Sequence, residues 1–261
     1  MARIKLATAL LLLAAVSYGE DIRGTVIVKQ QLTRKRVTAA PTPYQRGPAV
    51  ALRSDHHDDP LAAERARVVI YIEGHGAAAP IPGASVTATI TATMEQKDRR
   101  FVPELLVVPV GSTVSFPNLD PIFHNVFSLS KPKSFDLGNY PRNQTRVVTF
   151  LKPGVEFVNC HLHSNMSAAI VVTPNKWCVI ADRNGQFNLP DVPAGTYTVV
   201  AWHKAAGCIK QAVSVVPGRG ATVEFFVPLG EAGVENGLTD VPAKVEAKVQ
   251  ATVEARVEAK R

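Results

Sequence analysis

Apolar residues in this chain come in short clusters, rich in Val, Ile and Thr and separated by Gly, Pro and Asn. Runs of this length and β-branched content read as strands rather than helices. Two lie near the start, at 24–30 and 68–73. The pattern then recurs at 105–110, 113–116, 145–150, 155–159, 168–172, 197–202 and 222–227. Regularly spaced short strands with turn residues between them predict an all-β chain built of sandwiches or barrels.

Three stretches break the pattern. Residues 34–67 are rich in Pro, Ala, Arg and Asp without sustained apolar periodicity, which predicts a flexible insertion. From Val241 a Val recurs every four residues amid Ala, Lys, Arg and Glu, so 238–261 reads as a low-complexity tail with transient helix. At the other end Arg3 and Lys5 precede the apolar run 6–16, followed by Ser17, Tyr18 and Gly19. That is the layout of a secretory signal over 1–19, and it predicts a periplasmic or secreted protein. The run is far shorter than the roughly 20 residues a spanning helix needs, and no later segment is long enough, so no membrane span is expected.

The 261 residues are 46% hydrophobic and 20% charged, enough apolar material for one large domain or two of ordinary size. The formal charge of +7 falls to +5 without Arg3 and Lys5. Basic residues alternate with acids and form no stripe beside stacking aromatics, which argues against a nucleic-acid partner.

Specific chemistry is concentrated in two places. Cys160, His163 and Met166 follow a predicted strand at Cys-x2-His-x2-Met spacing, a loop of soft ligands. Upstream, a turn after another strand carries His124. Two His, one Cys and a weak axial Met are the donor set of a mononuclear blue-copper centre, thiolate and imidazoles in a plane with a long thioether contact. A buried structural thiol and a structural zinc are the competing readings. Zinc accepts Cys and His, but the added Met favours copper by softness. Met94 has no Cys or His nearby in sequence and reads as packing.

The run from Phe101 through Gly111 to Asn118, then His124-Asn125-Val126, then Cys160-x2-His163-x2-Met166, resembles the cupredoxins, in particular amicyanin-like and pseudoazurin-like members. The resemblance covers roughly 87–174. It implies a Greek-key β-sandwich with one type 1 copper near one end, held by His124, Cys160, His163 and Met166. It also implies that Asn125 hydrogen-bonds across to the ligand loop and holds it rigid. His161 is a departure. Cys-His-Leu-His is similar to the Cys-His segment of multicopper oxidases, but a trinuclear cluster needs more imidazoles than the seven histidines of the whole chain supply. His161 is therefore expected to face solvent, where it bears on pH dependence or docking. His56 and His57 fall in the polar insertion and His75 in a turn.

The segment from Trp177 to His203, with Asp182 and Gly185 bracketing a hairpin, Phe187, Leu189 and Val192 alternating to one side, and Pro-Ala-Gly-Thr-Tyr leading into the next strand, resembles the carboxypeptidase regulatory-like, transthyretin-like sandwich. Such domains begin with a Gly-x-Val strand and a second strand, which 24–30 and 68–73 could supply. The expected organisation is then a discontinuous outer sandwich from 22–76 and 175–229, with the cupredoxin inserted. Cys178 and Cys208 would lie on nearby strands, and in an oxidising compartment their pairing would leave Cys160 free; two buried thiols are the alternative. His203 beside Trp202 is expected to pack or to sit at a strand end. No nucleophile with a base and no second metal-ligand set is visible, so no enzyme is predicted. The sequence points to an exported one-electron carrier with transient redox partners. The alternative is a non-redox copper-handling or cell-envelope binding module.

Overall fold

The computed structural model describes residues 19–33, 59–75 and 89–228, and the segments 1–19, 34–67 and 238–261 fall wholly or mostly outside them. The signal sequence, the low-complexity tail and the pair His56 and His57 therefore lie outside the described residues. Within them the chain is all-β apart from one helical turn. Among the described residues no helix is long and apolar enough to cross a membrane.

In chain order the elements are β1 (Glu20–Val28), α1 (Ala62–Arg65), β2 (Val69–His75), β3 (Thr91–Thr93), β4 (Glu95–Lys97), β5 (Arg100–Val102) and β6 (Leu105–Pro109). Next come β7 (Thr113–Pro117), β8 (His124–Leu129), β9 (Ser134–Tyr140), β10 (Thr145–Thr149), β11 (Gly154–Asn159) and β12 (Ser167–Thr173). The last five are β13 (Cys178–Ile180), β14 (Gln186–Val192), β15 (Gly195–His203), β16 (Gly207–Val215) and β17 (Ala221–Val227). They form a sheet β14-β1-β17, a sheet β13-β2-β15-β16, a sheet β6-β12-β11-β8-β9, a sheet β10-β7-β3 and the hairpin β4-β5.

Strand β1 pairs antiparallel with β14 and parallel with β17, while β2 lies between β13 and β15. Segments before 76 and after 177 thus share sheets, and the middle of the chain folds between them. Gly24 sits where a side chain would collide with the Val223 carbonyl and the Phe187 ring, so glycine there permits close approach of β1 to its neighbours.

The inward faces explain the alternation. Ile22, Val26 and Val28 of β1 meet Phe187, Leu189 and Val192 of β14 and Ile70 and Ile72 of β2 in one core. Val108, Val114, Phe116, Val126, Phe150, Val158 and Ile170 form a second. The two are joined by a third cluster. Val69 and Tyr71 of β2 with Trp202 of β15 pack on Leu105 and Val107 of β6, Ala169 and Val171 of β12, and Phe157 of β11. Strands β2 and β12 are therefore covered on both faces, which is why they read as unbroken apolar runs rather than alternating ones.

Two expectations need correction. The stretch 34–67 is not uniformly an irregular insertion, because residues 59–67 contain α1, packed by α1's Ala62 and Glu64. The buried Glu64 carboxylate accepts from the Thr33 amide (3.0 Å) and hydroxyl (2.9 Å) and stands 3.3 Å from His203 Nε2. The partners that hold Glu64 come from β15 and from the segment that follows β1, distant in sequence. Cys178 and Cys208, in turn, are free thiols. They lie on the two edge strands of the β13-β2-β15-β16 sheet. Three strand spacings of about 4.8 Å separate those edges, beyond the roughly 7 Å that a disulfide tolerates between Cα atoms. Strand β9, with its exposed alternate residues, was not expected from sequence.

Glu156 is a fully buried carboxyl in β11, accepting from Ser128 Oγ at 3.1 Å. Burial pushes its pKa up to about 7 against the opposing hydrogen bonds of Ser128, Lys133 and Ser130. The folded chain holds this proton more tightly than the unfolded chain, so the Glu156 contribution to stability is present below the ordinary carboxylate range and is lost as pH rises through about 7. Glu156→Gln is expected to raise Tm by several °C at about pH 8 and to change it little at about pH 4. Thermal melts across pH check this; equal pH profiles for variant and parent would contradict it.

Candidate metal centre

His124 opens β8, whose first five residues are all buried. The turn before it is fixed by Asn118, whose Nδ2 donates to the Ile122 carbonyl (2.8 Å) and the Tyr140 carbonyl (3.1 Å). Cys160 directly follows β11. It shares the inward face with Glu156 and Val158, as the strand period of two requires. The loop after Cys160 turns back through a hydrogen bond from the Met166 amide to the His163 carbonyl (3.0 Å) and enters β12. Strands β8 and β11 pair at Phe127 and Asn159, which sets the two segments side by side.

The structure brings His124, Cys160 and His163 together, with one donor atom from each within 4.8 Å of the others. The two Nδ1 atoms are 3.1 Å apart, and Cys160 Sγ is 4.0 Å from His124 Nδ1 and 3.8 Å from His163 Nδ1. Metal–nitrogen bonds of about 2.0–2.1 Å and a metal–thiolate bond of about 2.3 Å produce separations of this size at angles of roughly 100–130°. The donor set therefore fits a single ion held by three ligands near one plane. Met166 is buried in the apolar cluster that contains Cys160. His124 is buried and His163 half-exposed, so one imidazole is enclosed and the other reaches the surface. Burial first, and the nearby Arg99 charge with it, hold the His163 pKa below the ordinary histidine value, which favours its neutral form.

Asn125 spans the two segments. Its backbone amide points at Cys160 Sγ (3.4 Å), its Oδ1 accepts from the His161 amide (3.4 Å), and its Nδ2 donates to Asp136 Oδ1 (2.6 Å). Hydrogen bonds of this kind orient ligands and withdraw density from a thiolate sulfur. His161 stacks flat on Phe127, with ring centroids 3.7 Å apart, and lies 3.5 Å from Asp136. It is outside the donor cluster, with one face to solvent. His203 is buried far along the chain against Glu64 and takes no part. Met94 packs in the core.

Asp120 and Asp136 belong to the site and were not anticipated. Asp120 Oδ2 lies 2.7 Å from His124 Nε2. Burial works to raise the Asp120 pKa, but the Arg99 amide, the His124 imidazole and the Asp98 amide outweigh it and hold this carboxylate below the ordinary value. Asp136 is likewise held low, its burial outweighed by the Gly138 amide, Asn125 and His161. Neither position belongs to a recognisable motif. The only sequence signal was an acid four residues before a candidate ligand.

Asn125→Ala would leave the Asp136 carboxylate without the Asn125 amide and the His161 amide without its acceptor. Asp136 and His161 are exposed enough for water to replace the lost partner, so a stability loss of about 1 kcal/mol is expected. Urea unfolding of the metal-free protein measures it, and a loss within about 0.5 kcal/mol would show that Asn125 does not tie the segments.

No protein-family model matches the chain, and no curated protein matches it. Solved structures do match. A Cu-containing nitrite reductase from Thermus scotoductus is 27% identical over 31% of this chain and 22% of its own, with a TM-score of 0.30. The chain thus spans less than a quarter of that enzyme. A purple cupredoxin from Nitrosopumilus maritimus is 22% identical over 31% of this chain and 99% of its own (TM-score 0.29). A reduced amicyanin variant is 22% identical over 41% and 98% (TM-score 0.30). The structural neighbours of this all-β chain are cupredoxins, matched over part of its length.

Proposed function

We propose that the chain is an exported type 1 copper protein that passes single electrons between periplasmic or extracellular partners. The observation that carries this reading is the approach of His124 Nδ1, His163 Nδ1 and Cys160 Sγ to within 4.0 Å of one another, with Met166 buried in the same cluster. In this reading the four side chains hold one copper ion, which supplies a Cu(I)/Cu(II) couple that takes up or releases one electron. The residues around it keep that change small. Asn125 restrains the ligand loop, the Cys160 sulfur accepts the Asn125 amide, and the apolar cluster of Val126, Val158 and Phe116 excludes water.

Partner docking falls to the surface beside His163. Phe123 and Leu162, each next to a ligating histidine in sequence, are 54% and 47% exposed. A small apolar face around the half-exposed imidazole suits brief contacts that separate quickly after transfer. The sheets β14-β1-β17 and β13-β2-β15-β16 act in this reading as a transthyretin-like scaffold rather than as a catalytic domain. A non-redox copper-handling role would require ready release of the ion. The burial of His124, Cys160 and Met166 favours retention.

Addition of Cu(II) to the metal-free protein is expected to give an intense visible thiolate-to-copper charge-transfer band, bleached by reductant and absent from Cys160→Ala. A protein that binds copper without that band, or that yields it quickly to a chelator in both redox states, would contradict the electron-carrier reading.

A further inference from the structure

The β4–β5 hairpin reaches the centre without contributing a ligand. Its turn consists of Asp98 and Arg99, between the paired residues Lys97 and Arg100, and both have left-handed backbones with φ of 55° and 56°. Two successive left-handed residues in a two-residue hairpin are ordinarily Asn-Gly or similar, because a side-chain-bearing residue is strained there. Arg99 is a poor choice for that conformation by local preference alone. The conformation turns both amides toward one carboxylate. Asp98 N donates to Asp120 Oδ1 at 2.7 Å and Arg99 N donates to Asp120 Oδ2 at 2.9 Å. The Asp120 amide itself donates to Asn118 Oδ1 at 3.0 Å. The carboxylate is nearly buried, and its Oδ2 meets His124 Nε2 at 2.7 Å.

An ionised carboxylate only accepts, so the imidazole must donate, and its proton stays on Nε2. Nδ1, the atom that faces Cys160 and His163, is then left with its lone pair. A carboxylate behind a ligating histidine also makes the ring a stronger donor and favours the more positive state of a bound ion.

We propose that Asp120, gripped by the amides of the Asp98–Arg99 turn, is a positioning residue of the metal centre. It sets the tautomer of His124 and lowers the reduction potential of bound copper. The second half of this inference rests on the copper reading above; the first does not. The hairpin is thereby part of the site, with its backbone as the working group.

The test uses the full chain with Asp120→Asn, which keeps an acceptor and removes the charge, and Asp120→Ala, which removes both. Nitrogen-15 NMR of the metal-free parent is expected to show His124 protonated on Nε2 and bare on Nδ1. The Asn variant keeps that tautomer and the Ala variant loses the preference. Copper affinity is expected to fall by about 10–100-fold in the Ala variant. In the Asn variant a tenfold loss confined to Cu(II) would raise the potential by about 59 mV. A parent chain with His124 protonated on Nδ1 would overturn the inference, as would an Asn variant with the parent potential. If the parent forms no thiolate–copper band, the copper reading fails, and the His124 tautomer in metal-free parent and Ala variant still decides the role of Asp120.

Discussion

The structure depends on keeping three electron-rich atoms from separate parts of the chain within about 4 Å of one another. Two imidazole nitrogens and a sulfur have no mutual attraction strong enough to assemble themselves, and the entropy of ordering each side chain opposes their meeting. The scaffold must supply the difference beforehand. It does so by placing His124 at the first residue of β8 and Cys160 just beyond β11, on strands that pair at Phe127 and Asn159. Asn125 and Asp120 then remove most of the remaining freedom, one across the ligand loop and one behind the buried imidazole.

That arrangement needs a stiff support, and the stacking of sheets provides one. Trp202, Val69 and Tyr71 press on Ala169, Val171 and Phe157, so the sheet that carries β11 and β12 is enclosed from both sides. A doubly covered strand cannot slip by one residue without sending a buried side chain into a different core. The distant strand β1 serves the same end less directly. Its pairing with both β14 and β17 closes the second sandwich, whose β2 and β15 face the sheet that carries β11 and β12. The polar groups inside follow a stricter rule. Glu64, Asp120 and Asn118 are buried together with specific partners, and each ties two segments remote in sequence.

Much of this was legible in the residues. Short β-branched runs between Gly, Pro and Asn indicated the all-β character, and the periodicity of Phe187, Leu189 and Val192 marked the inward face of β14 correctly. The soft side chains Cys160, His163 and Met166 and their Cys-x2-His-x2-Met spacing were visible because they sit on one continuous loop. Less visible was anything whose meaning depends on a second segment. Cys178 and Cys208 looked like partners on nearby strands, but sheet order puts them at opposite edges. Helix α1 lies in a stretch of loop-like composition, and the groups that hold Glu64 in place come from Thr33 and His203.

The sequence by itself determined which donors are available, and it determined the strand-forming pattern that fixes which of them point inward. Those are properties of side-chain chemistry and of a two-residue period, both local. Tertiary structure alone decided which acid stands behind His124, which amides hold that acid, and which thiols remain apart. Hydrogen bonds and like-atom approaches act over about 3–4 Å, and separation along the chain does not report distances of that order once strands cross between sheets.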